Sequence, residues 1–252
     1  MKDEIALITG GATGIGAATA QALAARDMRV VVCDINVSAG QRLADEIEGL
    51  FIECDVSDFN SVRDAVSACE QTFGTPTYGL LNAGIMTVPA GGDFLPIEAV
   101  SLEQFHRITG VNFNGVFHGM KALLPKLKAV GGGAITTTAS TAAFGQLAID
   151  PLYSATKHGL VGFVRSVAGA NTHSKVRINA ICPSVVDTAI VPESFRDPDT
   201  IMPPQEMAEA IVDLLLHGRN GEIRAKVAGA EAFVVPPVDV AATGGPRLEG
   251  MA

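Results

Sequence analysis

The 252 residues are 48% hydrophobic, enough for a substantial buried core, and carry a formal net charge of −9 with Lys and Arg scattered rather than massed in a stripe. That balance argues against nucleic acid and anionic membrane surfaces as partners. No apolar run reaches membrane-spanning length, no leader-like stretch precedes Ile5, and the four cysteines form no Cys-x-x-Cys pair, so a reduced, cytoplasmic protein without a metal site is expected.

Residues Glu4 to Thr9 are a short apolar run, followed at once by Gly10-Gly11-Ala12-Thr13-Gly14-Ile15-Gly16 and then by the helix formers of Ala17 to Ala25. Strand, glycine turn and helix in that order let the backbone approach a diphosphate closely and offer it the free N–H groups of a helix N-terminus. A tight turn with close helix packing would use the same glycines, but the flanking elements favour dinucleotide binding. The next strand, Arg29 to Cys33, ends at Asp34, whose carboxylate is placed to accept hydrogen bonds from the adenosine ribose hydroxyls and to repel a 2′-phosphate. The expected cofactor is therefore NAD rather than NADP.

Helix Ser38–Glu48, strand Leu50–Cys54, helix Asp58–Phe73 and strand Tyr78–Leu81 continue the alternation, which implies right-handed crossovers, a parallel sheet and a ligand at the carboxyl ends of the strands. Asp55 and Asn82-Ala83-Gly84 fall at those ends; Asp55 alternatively caps the following turn. One long helix is expected from Ser101 to Lys128, with the amide of Asn112 in its middle. A strand from Ala134 to Ala139 then leads to Ser140 and the small-residue loop Thr141–Ile149.

The stretch Asp150-Pro-Leu-Tyr-Ser-Ala-Thr-Lys-His-Gly reads as a helix start, with Asp150 as cap and Pro151 in the first turn. Tyr153 and Lys157 then lie one turn apart on one face. A phenol titrating near ~10 needs about 4 kcal/mol of differential stabilisation to act as a base near pH ~7; a close lysine ammonium favours the phenolate, and together with a cationic cofactor it supplies that amount. Leu160, Phe163, Val164 and Val167 continue this helix as a core or subunit stripe. Strand Val176–Ile181 ends in Cys182-Pro183-Ser184, the proline-bearing residues 189–204 form a cover, Gln205–His217 is a helix, and Ile223–Val235 is extended. The tail, residues 236–252, is expected to be weakly ordered.

Taken together, Thr9-Gly-x-x-x-Gly-x-Gly, Asp34, Asp55, Asn82-Ala-Gly, Asn112, Ser140, Tyr153-x-x-x-Lys157 and Pro183 to Thr188 resemble the classical short-chain dehydrogenase/reductase family over nearly the whole chain. The resemblance implies one Rossmann-type α/β domain spanning 1–252, a doubly wound seven-stranded parallel sheet flanked by helices, and a homodimer or homotetramer. It further implies a catalytic set of Asn112, Ser140, Tyr153 and Lys157. Tyr153 would take the substrate proton, Ser140 would fix the substrate oxygen, Lys157 would bind the nicotinamide ribose and lower the tyrosine pKa, and Asn112 would hold a water linking Lys157 to solvent. Gly10, Thr13, Gly14, Ile15, Gly16, Asp34, Asp55, Val56, Asn82, Ala83, Gly84, Pro183, Val186 and Thr188 would join Tyr153 and Lys157 in binding NAD, with Thr188 on the carboxamide.

From Tyr153 to Ser166, and again at Val176-Arg-Ile-Asn-Ala-Ile-Cys-Pro, the chain looks like hydroxyprostaglandin dehydrogenase-like members, which favours an apolar secondary alcohol or ketone. Met86, Phe94, Phe144, Leu147, Ile149, Ile190, Val191 and Phe195 would wall the substrate pocket. The chain departs from the family pattern at Leu81, where an asparagine is more frequent, and at Ser184, where glycine is. The competing readings are a carbonyl reductase working with NADPH and a non-catalytic dinucleotide sensor on the same fold.

Overall fold

Strand β1 (Ile5–Thr9) is buried along its whole length, as a parallel strand covered on both faces must be. Its side chains alternate between two cores: Ile5 and Leu7 join one apolar cluster, Ala6 and Ile8 the other. Around it, in a computed structural model that describes residues 4–89 and 91–238, lie β2 (Arg29–Asp34), β3 (Leu50–Glu53), β4 (Tyr78–Leu81), β5 (Gly133–Thr138), β6 (Val176–Pro183), β7 (Ile223–Lys226) and β8 (Phe233–Val234), in the order β3-β2-β1-β4-β5-β6-β7-β8. Every pairing is parallel except β7 with β8. The seven expected parallel strands are thus joined by a short antiparallel edge strand, which splits the extended region expected from Ile223 to Val235.

Helices α1 (Gly14–Ala24), α2 (Val37–Glu46) and α7 (Pro204–His217) cover one face; α3 (Phe59–Thr72), α4 (Leu102–Thr109), α5 (Gly115–Ala129) and α6 (Pro151–Ala170) cover the other. Side-chain caps fix where several of them begin. Asn36 accepts from Ala39 N, Asp58 from Asn60 N, and Ser101 forms a reciprocal capping box with Gln104. The chain runs outward from β1 to β3 and then returns to β4 on the other side of β1. The crevice between β1 and β4 is therefore the topological switch point, where ligands of open parallel sheets bind.

The single long helix expected from Ser101 to Lys128 is broken by a π-helical turn, Gly110–Asn114, between α4 and α5. The extra residue in that turn places Asn112 fully inside the protein. Of the tail expected to be weakly ordered, residues 239–252 lie outside the described residues. Among the described residues no helix is long and apolar enough to cross a membrane, and all four cysteines are buried free thiols.

Candidate active site

Gly10 adopts φ +62°, in the left-handed region, and a Cβ there would stand 2.7 Å from Ala83 Cα. The glycine turn after β1 and the Asn82-Ala83-Gly84 turn after β4 therefore pack backbone to backbone. Asn82 ties them together: its Nδ2 donates to Gly10 O at 3.0 Å, and its Oδ1 accepts from Thr138 Oγ1 at 3.1 Å. Asp34 holds the same turn from the other side. Its Oδ2 accepts from Ala12 N at 3.0 Å and its Oδ1 from Asn36 N at 2.9 Å.

These turns border a cavity of ≈ 300 Å³ along the carboxyl ends of the strands. Every residue predicted for the site lines it except Gly16 and Asn112. Gly16 is buried under the turn, where a Cβ would fall 2.1 Å from Gly10 O, so it shapes the loop rather than facing a ligand. Asn112 spends its amide on neighbouring protein groups: Oδ1 accepts from Ile85 N at 2.8 Å, and Nδ2 donates to Ile85 O at 2.9 Å and Thr156 Oγ1 at 3.2 Å. Both amide hydrogens are thereby taken up by protein groups.

The cavity wall also includes Ile35, Cys54, Ile85, Val111, Thr138 and Ala139, which the sequence did not single out. Thr138 and Ala139 were legible in principle as the residues directly before Ser140. The others are likewise direct neighbours of predicted residues: Ile35 follows Asp34, Cys54 precedes Asp55, Ile85 follows Gly84 and Val111 precedes Asn112.

Lys157 is 3% exposed, and its Nζ donates to Thr138 O at 2.9 Å while lying 5.4 Å from the centroid of the Tyr153 ring. Gly84 leaves room for it, since a Cβ there would sit 3.4 Å from Nζ. Burial pulls the Lys157 ammonium down to about 8. Burial also pushes the Tyr153 phenol up to about 12; the Ser140 hydroxyl bonded to it pulls the other way, and the Asp150 carboxylate pushes it further up. The lowering expected from Lys157 together with a cationic cofactor therefore depends on the cofactor's charge. Desolvation is the largest influence on the phenol, which stays protonated at neutral pH unless positive charge arrives beside it.

A second chamber of ≈ 280 Å³ adjoins the first, and Ser140, Tyr153, Ser184, Ile190 and Val191 belong to both walls. Met86, Leu147, Ile190, Val191 and Phe195 line it as expected, whereas Phe94, Phe144 and Ile149 do not; Phe144 is turned to solvent. Thr141 and Gln146 add polar side chains to the same wall. The cover over it is anchored at both ends. Met202 is fully buried and its N donates to Val185 O at 2.9 Å, while Arg196 pairs with Asp187 and donates to Thr188 O at 2.8 Å.

Asp150 caps α6 as expected, accepting from Tyr153 N at 3.0 Å, but capping is only part of its role. It is 2% exposed, and its two oxygens also accept from Thr87 Oγ1 at 2.6 Å and Thr87 N at 2.9 Å. The loop that carries Met86 is thereby fastened to the start of the helix that carries Tyr153. Asp150→Asn keeps the cap but turns an NH₂ group towards a Thr87 donor. We expect a loss of about 2 kcal/mol and a Tm lower by roughly 5 °C. Because the carboxylate opposes ionisation of Tyr153, the rise of alcohol oxidation with pH should also move to lower pH, whereas a purely structural lesion would lower activity without moving it.

The residues fit a dinucleotide. The first turn of α1 is open to the cavity at Thr13, Gly14 and Ile15, the Asp34 carboxylate stands at the end of β2, and the described cavity wall holds no cation besides Lys157. A family model described as short chain dehydrogenase matches residues 4–199. The chain is 34% identical over 229 residues to cyclohexanol dehydrogenase of Acinetobacter sp. (strain SE19), covering 85% of this chain and 88% of that protein. It is 35% identical over 224 residues to human 15-hydroxyprostaglandin dehydrogenase [NAD(+)], covering 85% and 80%. A crystal structure of 3-ketoacyl-(acyl-carrier-protein) reductase from Brucella melitensis complexed with NADH superposes with a TM-score of 0.81 at 30% identity, covering 89% of this chain and 96% of that one. Sequence match, superposition and the paired cavities around Tyr153 agree: the chain belongs to the short chain dehydrogenase family, oxidoreductases that use a nicotinamide dinucleotide to interconvert secondary alcohols and ketones.

Proposed function

We propose that the protein is an NAD-dependent dehydrogenase that interconverts an apolar secondary alcohol and its ketone, with Tyr153 as general acid and base. The observation that carries this reading is the position of Tyr153 and Ser140 on the shared wall of two cavities, one bordered by the glycine turn and Asp34, the other mostly apolar. The relatives named for cyclohexanol and for 15-hydroxyprostaglandin support the substrate class.

Bound in the first cavity, NAD supplies the hydride acceptor and a positive charge near the phenol. The chain's own residues do the rest. Ser140 would hold the substrate oxygen, Tyr153 would accept its proton as the carbinol C–H bond breaks, and Lys157 would hold the nicotinamide ribose. Asn112, with its amide bound to Ile85, keeps the wall beside Lys157 in place. The chamber excludes water through Met86, Leu147, Ile190, Val191 and Phe195. Exposed Phe105 on α4 and Phe117 on α5 suit a homo-oligomer.

The test is reduction of NAD and NADP, side by side, with a panel of apolar secondary alcohols. We expect wild type to prefer NAD. In Asp34→Ala the ratio of kcat/KM for NAD over NADP should fall by roughly ten- to a hundredfold, because a charge that receives ribose hydroxyls and repels a 2′-phosphate is gone. Wild-type preference for NADP would overturn the assignment and favour the NADPH-dependent reductase. Tight NAD binding without turnover of any alcohol would favour a sensor.

A further inference from the structure

Ser184 has a hydroxyl with no task in the fold. Its backbone N–H donates to Lys226 O at 2.9 Å without the side chain, and its φ is not in the left-handed region, so alanine would serve the backbone equally well. Yet Ser184 Oγ is shut off from solvent and has no hydrogen-bond partner among the described residues. Buried hydroxyls are nearly always paired, and one left unpaired is a cost that calls for a partner.

Four other side-chain atoms share that condition: Glu4 Oε2, Thr136 Oγ1, Thr137 Oγ1 and Asn179 Nδ2. None of their residues borders either cavity of the site. Ser184 borders both, beside Ser140 and Tyr153. These three are the hydroxyl-bearing residues common to the two walls, and rotation about one bond sweeps the Ser184 Oγ through its staggered positions. Two of the three hydroxyls serve the reacting oxygen under the reading above. The third, once turned into the cavity by that rotation, would meet the same ligand with nothing else assigned to it, in a chamber whose wall also holds the polar side chains of Thr141 and Gln146.

We propose that Ser184 is a specificity-determining residue whose hydroxyl bonds a second oxygen function on the carbon next to the reacting one, so that vicinal diols and α-hydroxyketones are preferred over plain alcohols. This deepens the dehydrogenase reading and rests on it. A site built to pair a substrate hydroxyl discriminates against the analogue lacking it, because that analogue leaves the protein group unpaired.

The experiment compares kcat/KM for trans-cyclohexane-1,2-diol and cyclohexanol at saturating NAD, in wild type, Ser184→Ala and Ser184→Gly. The expected result is a preference of wild type for the diol that drops roughly tenfold in both variants, with cyclohexanol turnover changed less than about twofold and KM for NAD unaltered. An unchanged diol-to-alcohol ratio overturns the role of Ser184 while leaving the dehydrogenase reading intact. An equal loss on both alcohols together with a higher KM for NAD overturns it too, by assigning the hydroxyl to the cofactor. No turnover of either alcohol by wild type that still binds NAD overturns the dehydrogenase reading, and this inference with it.

Discussion

Tyr153→Phe is expected to lower kcat for alcohol oxidation by roughly 10²–10⁴-fold, the range in which a positioned general acid or base contributes. The ring keeps its packing and its place 5.4 Å from Lys157 Nζ, so NAD affinity, measured by quenching or calorimetry, should change little. Only the proton acceptor is removed. Loss of turnover with binding retained separates chemistry from cofactor capture. The pH dependence sharpens the test. Burial pushes the phenol up to about 12, so oxidation should rise with pH as the phenolate forms, and that rise should vanish in the variant. A variant that keeps more than about a tenth of wild-type kcat would place the proton transfer elsewhere.

Gly16→Ala should be the most damaging of the conservative glycine changes at the cofactor site. The new Cβ would lie 2.1 Å from Gly10 O and 2.9 Å from Asn82 Nδ2, so the methyl meets backbone oxygen on one side and the amide that ties two turns together on the other. A carbonyl in a packed turn cannot step aside cheaply, and overpacking of this kind costs roughly 1–3 kcal/mol. The helix-propensity gain from glycine to alanine, about 1 kcal/mol, works in the opposite direction and is outweighed. We expect a Tm lower by about 3–8 °C and NAD affinity weaker by roughly tenfold or more, because the displaced turn carries the first N–H groups of α1. Gly169→Ala in α6 is the control. A Cβ there has nothing within 4 Å, so the same change should be neutral or stabilising by up to about 1 kcal/mol. Equal effects at the two positions would show that helix propensity, not the Gly10 contact, governs Gly16.

Asp150 marks the boundary of what short-range reasoning can supply. Asp-Pro before a helical pattern is a capping signal, and the cap to Tyr153 N is there. Its bonds to Thr87 join residues 63 positions apart, and no local pattern encodes them. Asn112 shows the same limit within one helix. Apolar neighbours at helical spacing made a continuous helix the natural expectation, whereas the chain makes a π-turn there and the amide pairs with Ile85 across a loop.

The substrate wall divides in the same way. Met86, Leu147, Ile190, Val191 and Phe195 reach the chamber, but Phe144, equally apolar and only four residues after Ser140, faces solvent. Hydrophobicity says that a side chain gains by leaving water. It does not say which of several surfaces will cover it.

By itself the sequence determined the alternation of strands and helices, the glycine turn, the acidic residue at the end of β2 and the Tyr153-Lys157 pair on one helix face, because each depends on residue type and spacing along the chain. Only the tertiary structure decided that burial raises the Tyr153 phenol, that Gly16 supports the turn from beneath, that Asn112 is turned inward and that the Ser184 hydroxyl stands unpaired beside the reacting groups. Those properties depend on desolvation and on contacts between chain segments far apart in sequence, and they come into being when the sheet brings the strand ends together.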